Sequence, residues 1–204
     1  MQHAPLAPRT AHVRRETRES RIEVALNLDG SGQGDIATGI GFLDHMLDSL
    51  ARHARFDLTV RAEGDLHVDQ HHTAEDVGIG LGQALDKALG ERRAIRRFGD
   101  AVVPLDEALA QVAVDLGGRG WASIDLPFHS AMIGGLSSEM IPHLLQSFAM
   151  DGRFSLHVRL LAGENDHHRA EATFKALARA LDDATRPDPR LQGGVPSTKG
   201  EIRS

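Results

Sequence analysis

The chain has 204 residues, with 23 lysines and arginines against 29 aspartates and glutamates for a formal charge of −6, and it carries 12 histidines. It has no cysteine, which excludes disulfides, thiolate metal sites, iron–sulfur clusters and a cysteine nucleophile. The acidic balance argues against nucleic-acid binding, no run reaches the ~20 apolar residues that span a membrane, and the N-terminus lacks a signal-peptide core, so a soluble, cytoplasmic, single-domain protein is expected.

Taken in chain order, the first ten residues are polar and proline-containing and read as a tail. Alternation predicts a strand over Ile22–Leu28. Phe42, Leu43, Met46, Leu47 and Leu50 recur at helical spacing, Phe56–Arg61 alternates as a strand, and a helix runs from about Thr73 to Leu89. The same order then returns. Gln111–Leu116 alternates, Ile141, Leu144, Leu145 and Phe148 mark a helix, and Phe154–Leu160 alternates again. A last helix runs from about His167 to Leu181, with Asn165 placed to cap it. From Arg186 onward the chain is rich in proline and glycine and reads as tail or loop.

The second pass repeats residues as well as pattern. FLDHMLDSLARHARFDLTVR (42–61) lies on MIPHLLQSFAMDGRFSLHVR (140–159), placing His45 on His143. HHTAEDVGIGLGQAL (71–85) lies on HHRAEATFKALARAL (167–181), and EVALNLDG (23–30) on QVAVDLGG (111–118), which puts Glu19 on Glu107. The expected fold is therefore α+β: two tandem pseudo-symmetric β-β-α-β-α halves, about 10–95 and 96–185, forming one sheet-and-helix sandwich, with a tail at 186–204.

The sharpest chemistry lies in two copies of His-His-x-x-Glu: His71, His72, Glu75 and His167, His168, Glu171. On a helix, Glu75 can approach His72 three residues back or His71 four back. Adjacent histidines point roughly 100° apart around the axis, so each pair suits two different ions better than one. His45 and His143, equivalent under the repeat, bring the set to six histidines and two glutamates, which divide into two sites of three imidazoles and one carboxylate. Such N/O sites fit a divalent ion such as Mn²⁺, Fe²⁺, Co²⁺ or Zn²⁺, and four ligands leave two positions open on an octahedral ion. His3, His12, His129 and His157 have no such pattern and read as surface residues, while His53 and His67 at most line the pocket.

At these motifs the chain resembles the imidazoleglycerol-phosphate dehydratase family. The resemblance is carried by Thr17-Arg18-Glu19, GIGFLDHML (39–47), DLHVDQHHTAEDVGIGLGQAL (65–85), RRFG (96–99), PLDEAL (104–109), GGRG (117–120), GENDHHRAEATFKALARAL (163–181) and PSTKG (196–200). Small departures are Gln70 where an acid is common, Gly117 where serine is usual, and Leu144-Leu145 in place of an aromatic pair. The resemblance implies a ribosomal protein S5 domain 2-like fold and dehydration of imidazoleglycerol phosphate to imidazole acetol phosphate in histidine biosynthesis. It implies two Mn²⁺ ions per active site, held by His45, His71, His72, Glu75, His143, His167, His168 and Glu171. Two Lewis acids on the ring nitrogens would favour an imidazolate that expels the neighbouring hydroxyl. Glu19, Glu171 and His45 are the implied catalytic groups, with Glu19 moving protons. Glu19, His45, His53, Arg97, Arg119, Ser197 and Lys199 are the implied substrate contacts, the last four holding the phosphate. The family also implies a homo-oligomer, a 24-mer built from trimers, with active sites between subunits and the tail ordered over a neighbour's phosphate.

Two other readings compete. A dinuclear hydrolase would use similar ligands, but it needs a metal-activated water and bridging aspartates, which are not evident between the copies. A metal-storage or metal-dependent assembly module would leave Glu19, Arg97, Arg119 and the Ser-Thr-Lys tail without a purpose.

Overall fold

A computed structural model describes residues 8–202. The N-terminal half contains β1 (Thr10–Glu16), β2 (Ser20–Asn27), β3 (Gly34–Ala37), α1 (Gly41–Ala54), β4 (Asp57–Gly64) and α2 (His71–Leu89). The C-terminal half contains β5 (Phe98–Leu105), β6 (Ala108–Asp115), β7 (Trp121–Asp125), a hairpin of β8 (Met132–Ile133) and β9 (Leu136–Ser137), α3 (Met140–Asp151), β10 (Ser155–Ala162) and α4 (Asp166–Thr185). The repeated β-β-α-β-α order is present in both halves; each adds a short edge strand, β3 or β7, ahead of its first helix, and the C-terminal half adds the β8–β9 hairpin as well.

The two sheets are built alike, in the orders β1-β2-β4-β3 and β5-β6-β10-β7, antiparallel except for the added edge strand, which runs parallel to its neighbour. Period-two alternation sets their inner faces. Ile22, Val24 and Leu26 of β2 and Ala110, Val112 and Val114 of β6 are buried against the helices. The first helix of each half packs on the second helix of the other, α1 on α4 and α2 on α3. This exchange brings the two copies of each motif together across the halves.

Glycine permits the closest of these contacts. A Cβ at Gly78 would lie 2.7 Å from the Leu144 carbonyl oxygen, and one at Gly82 would lie 2.5 Å from the Gly152 nitrogen. The α2 and α3 backbones therefore touch where side chains would hold them apart.

The long helices start slightly earlier than their periodicity indicates, because polar caps rather than apolar residues set their ends. The Asp69 carboxylate accepts from the His71 N–H at 2.8 Å, so both His71 and His72 lie in the first turn of α2. Asn165 caps α4 as expected, accepting from the His167 and His168 N–H groups at 2.9 and 3.3 Å.

The C-terminal segment, expected as tail or loop, is tied down by backbone hydrogen bonds. Arg96 donates to the Arg186 carbonyl, Asp188 to that of Ala94, and Ala94 to that of Gly194, which docks the segment on its own chain. Backbone hydrogen bonding does this, and composition gives no sign of it. His3 and most of the N-terminal tail lie outside the described residues. No helix among the described residues is long and apolar enough to cross a membrane.

Candidate metal centres and phosphate groove

Two clusters of ligand-type side chains form where the helices of opposite halves meet. His45 of α1 joins His167 and Glu171 of α4, and His143 of α3 joins His71 and Glu75 of α2. Within each cluster the ligand atoms lie within 4.8 Å of one another. Glu171 Oε2 stands 3.4 Å from His45 Nε2 and 3.1 Å from His167 Nε2, and Glu75 Oε1 stands 3.4 Å from His143 Nε2. An ion with bonds of about 2.1 Å holds neighbouring ligands about 3.0–3.4 Å apart, so these spacings suit direct coordination. His143 Nε2 is buried and makes no hydrogen bond among the described residues, so an ion held between it and Glu75 would satisfy it. The donor set and its spacing thus fit a divalent ion.

The motif glutamates choose the histidine four residues back, His71 and His167. His72 and His168 point elsewhere, as the helical angle between adjacent residues dictates. His72 Nδ1 lies 3.0 Å from Asp65 Oδ2, and His168 Nδ1 lies 2.8 Å from Glu107 Oε2. A carboxylate on Nδ1 fixes the N–H there and leaves the Nε2 lone pair to a metal, with Asp106 Oδ2 3.9 Å from that atom at His168. Within one chain each cluster thus has two imidazoles and one carboxylate, and the third imidazole expected at each site is oriented but not seated.

Electrostatics separate the two halves. The hydrogen bond that His72 donates to Asp65 raises its pKa, and the one that His168 donates to Glu107 does the same there. Glu107 is held down at about 2 by the Asn165 N–H, by His168 and by the Glu164 N–H. At Glu171 burial works against ionisation, but Lys175, His45 and His167 outweigh it and hold the carboxyl at about 2. Lys175 Nζ lies 2.8 Å from Glu171 Oε1, one helical turn along α4, whereas the equivalent position beside Glu75 is Ile79. His53 stands nearby, and its pKa is lowered by burial and by the charges of Lys175 and Arg179.

Arg97, Arg119, Ser197 and Lys199 line one groove of about 810 Å³. Arg97 forks onto Asp115 at 2.7 and 3.0 Å and donates to the Pro196 carbonyl at 2.9 Å, so it both lines the groove and anchors the tail. Gly117 leaves space for this pair, since a Cβ there would lie 2.9 Å from Asp115 and 3.2 Å from Arg97. None of the six motif histidines, Glu75 or Glu171 lines the groove. Glu19 is exposed at the turn before β2 and acts electrostatically on His72.

Residues that motif reading missed are the supports: Asp65, Glu107 and Lys175. The carboxylate–imidazole pairs come from loops whose approach is set by the sheets. Only the i,i+4 spacing of Glu171 and Lys175 was open to detection. Gln70, a departure from the family pattern, donates to the Gly135 carbonyl at 2.6 Å and accepts from the Ser137 N–H at 3.0 Å. It ties the β8–β9 hairpin to the start of α2, a two-way bond that an ionised aspartate could not make.

Comparison with known proteins identifies the family of the chain. The family model for imidazoleglycerol-phosphate dehydratase matches residues 38–181. The imidazoleglycerol-phosphate dehydratase of Roseiflexus sp. (strain RS-1) is 60% identical over 198 residues, covering 97% of this chain and 100% of that protein. That of Acidiphilium cryptum (strain JF-5) is 56% identical over 194 residues, covering 95% and 99%. The crystal structure of imidazoleglycerol-phosphate dehydratase from Pyrococcus furiosus superposes with a TM-score of 0.80 at 37% identity, covering 93% of this chain and 100% of that one. The Staphylococcus aureus enzyme gives 0.79 at 31% identity, covering 87% and 99%. The chain belongs to the imidazoleglycerol-phosphate dehydratase family.

Proposed function

We propose that the protein is a hydro-lyase of histidine biosynthesis that dehydrates D-erythro-imidazoleglycerol phosphate to imidazole acetol phosphate. The observation that carries this reading is the pair of equivalent His–His–Glu clusters, each assembled from both halves of the chain. Two matched sites suit a substrate ring with two nitrogens. Bound divalent ions, Mn²⁺ by preference, would supply Lewis acidity toward that ring. His45, His167 and Glu171 would hold one ion and His71, Glu75 and His143 the other. His72 and His168, each clamped at Nδ1, complete these sites from neighbouring chains.

The protein's own groups account for the remaining work. Arg97, Arg119, Ser197 and Lys199 bind the phosphate and fix the glycerol chain. Lys175 adds positive charge beside Glu171, and His53, kept toward its neutral form by burial and by Lys175, lines the same place. Glu19 removes the proton from carbon once the hydroxyl has left, and that hydroxyl departs as water with a proton from solvent, since Glu171, held at about 2, has none to give. One C–O bond and one C–H bond break, and the enol formed takes a proton back at carbon to become the ketone.

That groove and clusters share no lining residue supports a site completed between subunits, in a homo-oligomer of up to 24 chains working in the cytoplasm. The hydrolase alternative calls for a carboxylate shared by both metals. Among the described residues, Glu75 and Glu171 each belong to one cluster only.

The test is to incubate Mn²⁺-loaded protein with imidazoleglycerol phosphate and measure acetol phosphate. Absence of turnover in fully loaded protein sinks the reading. Glu19→Gln is expected to keep its metal and lose turnover, whereas His72→Ala loses metal.

A further inference from the structure

The two halves solve one chemical problem with carboxylates from different places. His72 and His168 are equivalent under the repeat, and each ring is held at Nδ1, by Asp65 at 3.0 Å and by Glu107 at 2.8 Å. Glu107 stands just before β6, and its counterpart just before β2 is Glu19. Asp65 stands just after β4, and its counterpart just after β10 is Gly163, which has no side chain to offer and a φ of +140°. The equivalent glutamates are therefore used differently. Glu107 is saturated, taking the Glu164 and Asn165 N–H groups at 3.1 and 2.8 Å on one oxygen and His168 on the other. At Glu19 only the backbone is hydrogen-bonded among the described residues: its N–H to Thr17 Oγ1 and its carbonyl from the Asp65 N–H.

A metal-binding imidazole needs one acceptor on its far nitrogen. Where Glu107 is that acceptor, it has no oxygen left for substrate. The linker between β4 and α2 is longer than that between β10 and α4, and it places Asp65 beside the ring instead. We propose that Asp65 is a positioning residue that takes over the clamp on His72 and so releases Glu19, alone of the two equivalent glutamates, for proton transfer. The use made of Glu19 rests on the dehydratase reading, while the exchange of clamps does not.

The test compares Asp65→Gly, which copies Gly163, with Glu19→Ala, the double variant, and Asp65→Asn. Mn²⁺ affinity of the intact assembly is read by titration, and kcat and KM are read separately. Each single variant is expected to hold Mn²⁺ within about threefold of the parent, because either carboxylate can clamp the ring, while the double variant loses about 10–100-fold. In Asp65→Gly, Glu19 turns onto His72 as Glu107 does onto His168, so kcat falls about 10²–10⁴-fold with little change in KM. Asp65→Asn, whose amide oxygen still accepts the Nδ1–H, recovers much of that loss.

Additive affinities would overturn the proposal: Asp65→Gly alone losing the full amount, with Glu19→Ala adding nothing. A parent-like kcat in Asp65→Gly would overturn the release of Glu19. Coupled affinities in a protein that never turns over the substrate would support the clamp exchange and count against the dehydratase reading.

Discussion

Replacing Arg97 by alanine isolates the phosphate groove from the metal clusters. Its guanidinium is largely buried and makes three hydrogen bonds, two to Asp115 and one to the Pro196 carbonyl. Removing it loses a charged donor to the phosphate, leaves Asp115 unpaired in the groove wall, and frees the tail that carries Ser197 and Lys199. A hydrogen bond involving a charged group is worth about 1.5–3 kcal/mol, and 1.4 kcal/mol is a factor of ten, so Arg97→Ala is expected to weaken substrate binding about 10- to 100-fold. The loss belongs in KM, because the phosphate is remote from the reacting carbons and its binding is alike in ground and transition states. Steady-state kinetics with Mn²⁺-saturated protein measure it, and limited proteolysis reports release of residues 186–202. Arg97→Ala/Asp115→Asn is expected to recover part of the affinity, since the unpaired carboxylate repels the phosphate. A KM within twofold of the parent, with the tail still protected, would refute this assignment of the groove.

Other outcomes follow from the same geometry. Gly82→Ala places a methyl 2.5 Å from the Gly152 nitrogen and 2.7 Å from the Phe148 carbonyl oxygen, so it should cost about 1–3 kcal/mol and lower the Tm, whereas Gly41→Ala, with open space around its Cβ, should not. Glu107 is depressed from 4.5 to about 2, so the folded state holds it ionised more firmly than the unfolded chain does. Its stabilisation is fully present above pH 4.5 and is lost as pH falls toward 2; Glu107→Gln should flatten acid unfolding over that window, and an unchanged acid transition would contradict the hydrogen bonds assigned to it. Complete chelation is expected to reduce the assembly to trimers, measured by light scattering, and an unchanged mass in metal-free protein would remove the inter-subunit role of the ions.

Much of the fold was legible because apolar periodicity and a repeated motif point the same way. The buried alternation of Ile22, Val24 and Leu26 follows from periodicity, and the approach of Glu75 and Glu171 to a histidine of their own motifs follows from helical spacing. What spacing could not yield were contacts made through tertiary approach. The pairing of His45 with the second motif, rather than its own, depends on the crossing of α1 onto α4. Asp65 and Glu107 are ordinary loop acids until the sheets bring them to imidazole rings. Arg92 sits in a charged ERRAIRR run yet is 1% exposed, donating to the Arg153 and Gly152 carbonyls at 3.0 Å. The short edge strands β3 and β7 carry too few apolar residues to announce themselves, and parallel pairing to β4 and β10 creates them.

The central claim is that two equivalent clusters act together on one ring. Metal-free protein titrated with Mn²⁺, with turnover and bound metal followed in the same samples, tests it most directly. Turnover should be absent without metal and should rise to its full value only as the second ion per chain binds. Full turnover in metal-free protein, or at one ion per chain, would contradict the account.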